Sequence, residues 1–302
     1  MKTILLTGTN GLLGQKLVAQ LAPRAAAGEL RVVASSRGAN KLAALFPQVP
    51  FVPLDVADAE RVRAVLDEVA PTHVIHTAAM TNVDACETDR PACWRHNTTA
   101  VEHLAATCAA RDIHLTHVST DFIFDGAAGP YAEDAVPNPV NYYGVSKLAA
   151  EQAVRAAGGR WAIARTVLVY GTAHDYGRSN LVLWVRDALR AGKTLQVVDD
   201  QWRTPTLAED LAEGCLRIVD RDATGVFHLS SDELLTPYQM ALQVADFFGL
   251  DAAHLQRVTA ATFTQPARRP PRTGFLIGKA RHELGFAPHT FRQGIALMHG
   301  EG

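Results

Sequence analysis

Short apolar runs alternate with longer stretches of helical periodicity through the first half of the chain. Residues 3–6 form the first apolar run, followed by a glycine-rich turn and an amphipathic stretch over about 12–21. Residues 31–35, 51–54 and 73–77 read as the next three strands. Between the last two, residues 59–69 place Val62, Val65, Leu66 and Val69 on one helical face. A long helical pattern covers about 93–110, residues 114–118 make a fifth strand, a helix carrying Tyr143 and Lys147 runs to about 157, and residues 161–166 make a sixth strand. Strands this short and apolar, alternating with helices, predict βαβ units and a parallel sheet covered on both faces.

The alternation loses regularity after about residue 170. Residues 181–189 are helical in pattern and 201–205 loop-like, while 210–219 and 226–229 read as one more helix and strand of the main sheet. Beyond residue 230, helical stretches surround a proline- and arginine-rich loop at 265–272. The expected fold is therefore α/β, a Rossmann-type doubly wound parallel sheet with a smaller C-terminal substrate-binding lobe. The first unit takes residues 1–169 plus about 207–229; the second takes about 170–206 plus 230–302.

Composition narrows the field of partners. The chain has 302 residues, 48% hydrophobic, and a formal net charge of -2, enough to bury a full core and too balanced to favour nucleic acid or an anionic membrane. No apolar stretch approaches the roughly 18–20 residues of a membrane helix, and the apolar run near the N-terminus is too short for a signal peptide. Cys86, Cys93, Cys108 and Cys215 lack metal-ligand or disulfide-framework spacing, so free thiols in a reducing cytoplasm are expected. The twelve histidines form no His-x-x-x-His or His-Glu-x-x-His pattern, which speaks against a zinc site. The lack of a Gly-x-Ser-x-Gly elbow speaks against a serine hydrolase.

The candidate chemistry begins at Thr7-Gly8-Thr9-Asn10-Gly11-Leu12-Leu13-Gly14, between strand and helix. Gly8 can make the tight turn, Gly11 lets backbone approach a pyrophosphate resting on the helix N-terminus, and Gly14 permits close helix–strand packing. An acid at the end of the second strand would bind a ribose 2′-hydroxyl. Here Ser36 and Arg37 stand there, a hydroxyl and a planar donor set for a 2′-phosphate, so NADPH is favoured, with NADH left open. A plain surface arginine is the other reading. Asp55, next to Val56, could accept from an adenine amino group. Thr77-Ala78-Ala79 ends the fourth strand with small residues against which a cofactor could lie. Thr81 belongs to the same stretch.

Tyr143 and Lys147 in Asn141-Tyr142-Tyr143-Gly144-Val145-Ser146-Lys147 are four apart and share a helix face. An ammonium beside a phenol favours the phenolate, and Lys147 could also bond a nicotinamide ribose. Tyr143 could then donate a proton to a carbonyl oxygen. Thr120, in Ser119-Thr120-Asp121, offers a hydroxyl to hold that oxygen, with Ser119 its rival. Asn97, polar within a helical stretch, could hold a water or a backbone group below the site, or be a partly exposed helical residue.

These residues resemble the extended short-chain dehydrogenase/reductase superfamily across essentially the whole chain, and within it the dTDP-4-dehydrorhamnose reductase family. The supporting stretches are residues 78–84, 119–126 and 141–147, Asp199-Asp200-Gln201 with Pro205-Thr206, and Arg268-Arg269-Pro270. The resemblance implies Thr120, Tyr143 and Lys147 as catalytic triad, NADPH or NADH as reductant, and the C4 ketone of a nucleotide-linked 4-keto-6-deoxysugar as target. Substrate contacts are implied at Thr81, Asn82, Thr120, Asp121, Asn141, Arg203 and Arg269, with Asn10, Leu12, Leu13, Asn97 and Ser119 on the cofactor side. Trp202 and Arg203 depart from the smaller residues usual in the rhamnose enzymes. A sugar-nucleotide epimerase would use the same triad. A regulatory subunit like the methionine adenosyltransferase β subunit would bind cofactor without a reaction of its own. A homodimer is the assembly left open.

Overall fold

Successive side chains of a strand point to opposite faces of a sheet, and here both faces are apolar. The computed structural model describes residues 1–175 and 180–300. Its strands are β1 (Lys2–Thr7), β2 (Leu30–Ser36), β3 (Phe51–Pro53), β4 (His73–His76), β5 (His114–Thr120), β6 (Trp161–Thr166), β7 (Val169–Tyr170), β8 (Leu195–Val198), β9 (Thr206–Leu207), β10 (Gly225–His228) and β11 (Leu255–Val258). Its α-helices are α1 (Leu12–Ala26), α2 (Ala59–Val69), α3 (Val83–Thr88), α4 (Arg90–Trp94), α5 (Ala100–Ala110), α6 (Tyr142–Ala157), α7 (Leu181–Arg190), α8 (Ala208–Asp220), α9 (Pro237–Phe247) and α10 (Phe291–His299).

Among the described residues, seven strands pair in parallel in the order β10-β6-β5-β4-β1-β2-β3. Ile4, Leu6, Val32, Ala34, Ala162 and Ala164 face α1 and α8, while Leu5, Val33, Val74, Leu115 and Ile163 face α2, α5 and α6. This is the doubly wound Rossmann-type α/β fold expected from the alternation. The order reverses at β1 and β4, so the crevice at the strands' C-terminal ends opens there.

A separate apolar cluster joins Tyr170, Val182, Val185, Met240, Val244, Phe291 and Ile295. It ties α7, α9 and α10 to β7, β8, β9 and β11, and the short pairs β7–β9 and β8–β11 are themselves parallel. Ala280, Leu284 and Phe286 return to pack with α8 on the main sheet. Among the described residues no helix is long and apolar enough to cross a membrane.

Some elements differ from their sequence patterns. α1 continues to Ala26 through Pro23, because Ala22 and Ala25 go on packing against the sheet. The long helix expected from about 93 starts at Arg90 and is interrupted by a π-helical turn at Arg95–Thr99. Asn97-Thr98-Thr99 are weak helix formers, and the wider turn brings Asn97 into contacts with Met80 and Ser146.

α6 also buries charge. Arg165 of β6 and Glu151 of α6 are nearly inaccessible, and Arg165 Nε and Nη2 donate to the two carboxylate oxygens at 2.9 and 2.7 Å. Arg165→Met would leave Glu151 buried without this partner and should cost ~3–5 kcal/mol of stability. Urea unfolding measures this, and a loss below 1 kcal/mol would show the pair to be dispensable.

Candidate active site

The glycine turn is shaped by close approaches. Gly8 takes φ +77°, and a Cβ there would lie 2.7 Å from Ala78 N and 2.8 Å from Thr77 Oγ1. A Cβ at Gly14 would stand 2.6 Å from Thr9 Cα. Gly11 begins α1 without a side-chain cap, and the first turn, opened by Leu12 and Leu13, has no acid. Backbone N–H groups there are free of competition for an anion. Thr77 Oγ1 donates to Thr7 O at 2.7 Å, holding the end of β4 against β1, with Ala78 and Ala79 following. These features form a cradle that side chains would fill and that suits a pyrophosphate.

The loop after β2 is braced by Asn10, whose Nδ2 donates to Ala39 O at 2.8 Å and whose Oδ1 accepts from Lys41 N at 3.1 Å. Ser36 ends β2 and is buried. Arg37 beyond it is exposed and has no hydrogen-bond or ion-pair partner among the described residues. Asp55 Oδ1 accepts from Ala57 N at 3.0 Å, and Val56 is buried on the α2 side. Burial, then Arg95 and Arg37, lower the pKa of His96, with Asp55 acting in the opposite sense. Arg95 and His96 are thus electrostatic neighbours of Arg37 that sequence reasoning passed over.

α6 starts at an Asn141 cap: Oδ1 accepts from Gly144 N at 2.8 Å, and Nδ2 donates to Arg268 O at 2.8 Å. Its first turn carries Tyr143 beside the Thr120 hydroxyl at the end of β5. Burial raises the Tyr143 pKa, and the Thr120 hydroxyl is the influence that opposes the rise. The sequence expectation gave that part to Lys147. Lys147 is buried, and its Nζ donates to Val118 O at 2.8 Å and lies 3.1 Å from His117 Nε2. Burial pushes its pKa down to about 8. Tyr143 is a phenol that can donate a proton, and its burial weakens that acidity while the Thr120 hydroxyl works to restore it. Ser119 shares the strand face of His117, and its buried hydroxyl has no partner among the described residues.

Asn97 is fully engaged in bracing. Its Oδ1 accepts from Met80 N at 2.8 Å, and its Nδ2 lies 3.0 Å from Met80 O and 3.1 Å from Ser146 Oγ. Ser146 in turn donates to Tyr143 O at 2.7 Å. Asn97 therefore holds a backbone segment, one of the two uses its sequence context suggested.

The candidate substrate residues divide by environment. Arg269 makes a two-pronged pair with Asp84 at 2.6 and 2.7 Å, which holds the Asp84 carboxyl below its ordinary range. Asn82 caps α3 by accepting from Ala85 N at 3.0 Å, next to the exposed Thr81. Arg203 differs from the sequence expectation of a substrate contact: it is buried, donating to Trp202 O and Pro270 O at 2.7 Å each. Its Nε stands 3.9 Å from Asp121 Oδ2. Asp121, also buried, accepts from Thr120 Oγ1 at 3.0 Å and from the Thr273 hydroxyl. Trp202 lies beside Arg272, whose guanidinium stands 5.9 Å from the indole centroid.

A glycine-lined helix start, small residues at adjoining strand ends, and a tyrosine and lysine one turn apart define a protein of the extended short-chain dehydrogenase/reductase type. The sequence profile of the RmlD substrate binding domain matches residues 1–301, and the chain belongs to that family. It is 36% identical over 289 residues to a dTDP-4-keto-6-deoxy-D-glucose reductase of Streptomyces niveus, covering 94% of this chain and 91% of that one. It is 32% identical to methionine adenosyltransferase 2 subunit beta of Xenopus tropicalis, over 81% of this chain and 75% of that one. The structure of dTDP-4-dehydrorhamnose reductase from Bacillus anthracis, in complex with NADP, superposes with a TM-score of 0.85 at 25% identity, covering 100% of this chain and 99% of that one.

Sequence reasoning also passed over Asp84 as the partner of Arg269 and His117 as the neighbour of Lys147. The second left a signal, a histidine at an inward position of a buried strand. Asn97→Ala would strip partners from both backbone groups of Met80 and from Ser146. Urea unfolding should show a loss of ~1–3 kcal/mol; an unchanged midpoint would mean the brace carries no load.

Proposed function

We propose that this protein is an NADPH-dependent reductase of the C4 ketone in a nucleotide-linked 4-keto-6-deoxysugar. The observation that carries the reading is the placing of Tyr143 beside Thr120 and one helical turn from the buried cation Lys147. A relative named for reduction of dTDP-4-keto-6-deoxy-D-glucose and a similar fold that binds NADP support the substrate and the cofactor.

The glycine turn, the start of α1, Ser36, Arg37, Asp55, Val56 and residues 77–81 would hold the dinucleotide, and Lys147 its nicotinamide ribose. Bound there, the nicotinamide supplies the hydride. Thr120 holds the ketone oxygen and Tyr143 gives it a proton, so charge does not build up as the alcohol forms. In the ligand-free site that hydroxyl donates to Asp121 Oδ1, so its single O–H must turn from the carboxylate to reach the ketone oxygen. Arg269, with Asp84, Thr81, Asn82 and Asn141 around it, lies where a nucleotide sugar would bridge the two lobes. On this reading residues 1–169 with about 207–229 hold the cofactor, and about 170–206 with 230–302 hold the sugar nucleotide. The separate apolar core around Tyr170, Val182, Met240 and Phe291 supports that division. Four buried free cysteines suit the cytoplasm.

An epimerase retaining NAD would be expected to carry an acid at the end of β2, where Arg37 stands. The likeness to methionine adenosyltransferase 2 subunit beta favours a second reading, a cofactor-bound regulatory subunit. Purified protein supplied with NADPH and dTDP-4-keto-6-deoxyglucose separates them. Turnover, with reduced sugar confirmed by mass, supports the reductase. Cofactor binding without turnover, together with recovery of a stoichiometric partner enzyme, supports the regulatory subunit.

Tyr143→Phe should lower kcat by at least about 100-fold while NADPH still binds, and wild-type turnover in this variant would remove Tyr143 as the acid. Arg37→Asp repels a 2′-phosphate and offers an acceptor to a 2′-hydroxyl. The NADPH/NADH ratio of kcat/KM should fall by about 10-fold or more; a constant ratio would take Arg37 out of cofactor selection.

A further inference from the structure

One row of the sheet is polar where its neighbours are apolar. Register places Thr7 of β1 beside His76 of β4, and His76 beside His117 of β5. Thr7 Oγ1 and His76 Nδ1 lie 2.7 Å apart. The His76 and His117 rings stack with centroids 5.5 Å apart and planes at 19°. His117 Nε2 then stands 3.1 Å from Lys147 Nζ. All of these side chains are buried, and His76 Nε2 and His117 Nδ1 have no hydrogen-bond partner among the described residues. An apolar side chain at 117 would satisfy the core better, so the imidazole needs another reason to be there.

An ammonium carries three N–H donors. Val118 O takes one at 2.8 Å and His117 Nε2 takes another. The third has no acceptor among the described residues. Donation to Nε2 requires a neutral His117 with its proton on Nδ1. Burial, then the Lys147 charge and His76, hold the His117 pKa well below its ordinary value, in keeping with a neutral ring.

We infer that His117 is a positioning residue for Lys147, its Nε2 keeping the ammonium charged and aiming the remaining N–H at the reacting groups. The kinetic part of this inference rests on the reductase reading. Around Lys147 stand His76 and His117 from the sheet, Glu151 and Tyr143 from α6, and Cys93 from α4. Of these, Glu151 and Cys93 favour the ammonium against burial.

Lys147 titrates at about 8, so its cation is present below that pH and lost as pH rises through it. His117→Leu removes an acceptor for the cation and should lower the Lys147 pKa by about one unit. NMR titration of isotope-labelled lysines reads this directly, with Lys147→Met assigning the resonance. In turnover of dTDP-4-keto-6-deoxyglucose with NADPH, kcat of His117→Leu should fall about tenfold with KM little changed, and its alkaline limb should move to lower pH. His117→Gln, whose Oε1 can take the place of Nε2, should restore both titration and limb. His117→Asn, whose oxygen falls short, should behave as His117→Leu and serves if the leucine variant does not fold. A Lys147 titration that stays put in folded His117→Leu or His117→Asn overturns the inference, as does an equal shift in His117→Gln. Absence of turnover in the wild type counts against the reductase reading, and the titration then decides on His117 alone.

Discussion

A helix that buries charge against an apolar sheet is the constraint on which the site depends. Ser146, Lys147 and Glu151 of α6 are all buried, and each is answered by a different element: the π turn through Asn97 and Thr98, the end of β5 through Val118 and His117, and β6 through Arg165. Buried charge is tolerated only with such partners. The partners leave α6 little freedom to slide or rotate, and Tyr143 inherits its position from them.

The opposite wall is set by exclusion of side chains. Gly8 and Gly14 let backbone meet backbone where β1 passes into α1, and Thr77 seals β4 against β1. The two walls meet at the switch point of the sheet. Thr7 belongs to both: its carbonyl receives the Thr77 hydroxyl, and its own hydroxyl contacts His76, the first of the imidazoles leading to Lys147.

Residues 268–273 are tied to this frame by a few polar contacts. Asp84 holds Arg269, Asn141 holds the Arg268 carbonyl, and Asp121 receives the Thr273 hydroxyl beside Arg203. Asp121 also receives the Thr120 hydroxyl, so the loops carrying Arg203 and Thr273 share an acceptor with the proposed oxygen-holding residue. A shift of those loops would be felt at Thr120 through one carboxylate.

Much of this was legible in the chain. Alternating apolar runs foretold the parallel sheet, and α2 and β6 fall where their patterns put them, because these elements are set by local periodicity. Gly8, Gly14, Tyr143 and Lys147 declared themselves by spacing within one turn or one helix. The pairs β7–β9 and β8–β11 were not legible, since strands so short gain their identity from distant partners. Nor were the π turn around Asn97, the inward turn of Arg203, the docking of Arg269 on Asp84, or the imidazoles behind Lys147. Each depends on residues far apart in sequence meeting in a dry interior, where a side chain's role is set by the partner it finds there. Residue types and spacing thus determined which groups this protein brings to its site, and the tertiary structure alone decided which of them are occupied in holding the others in place.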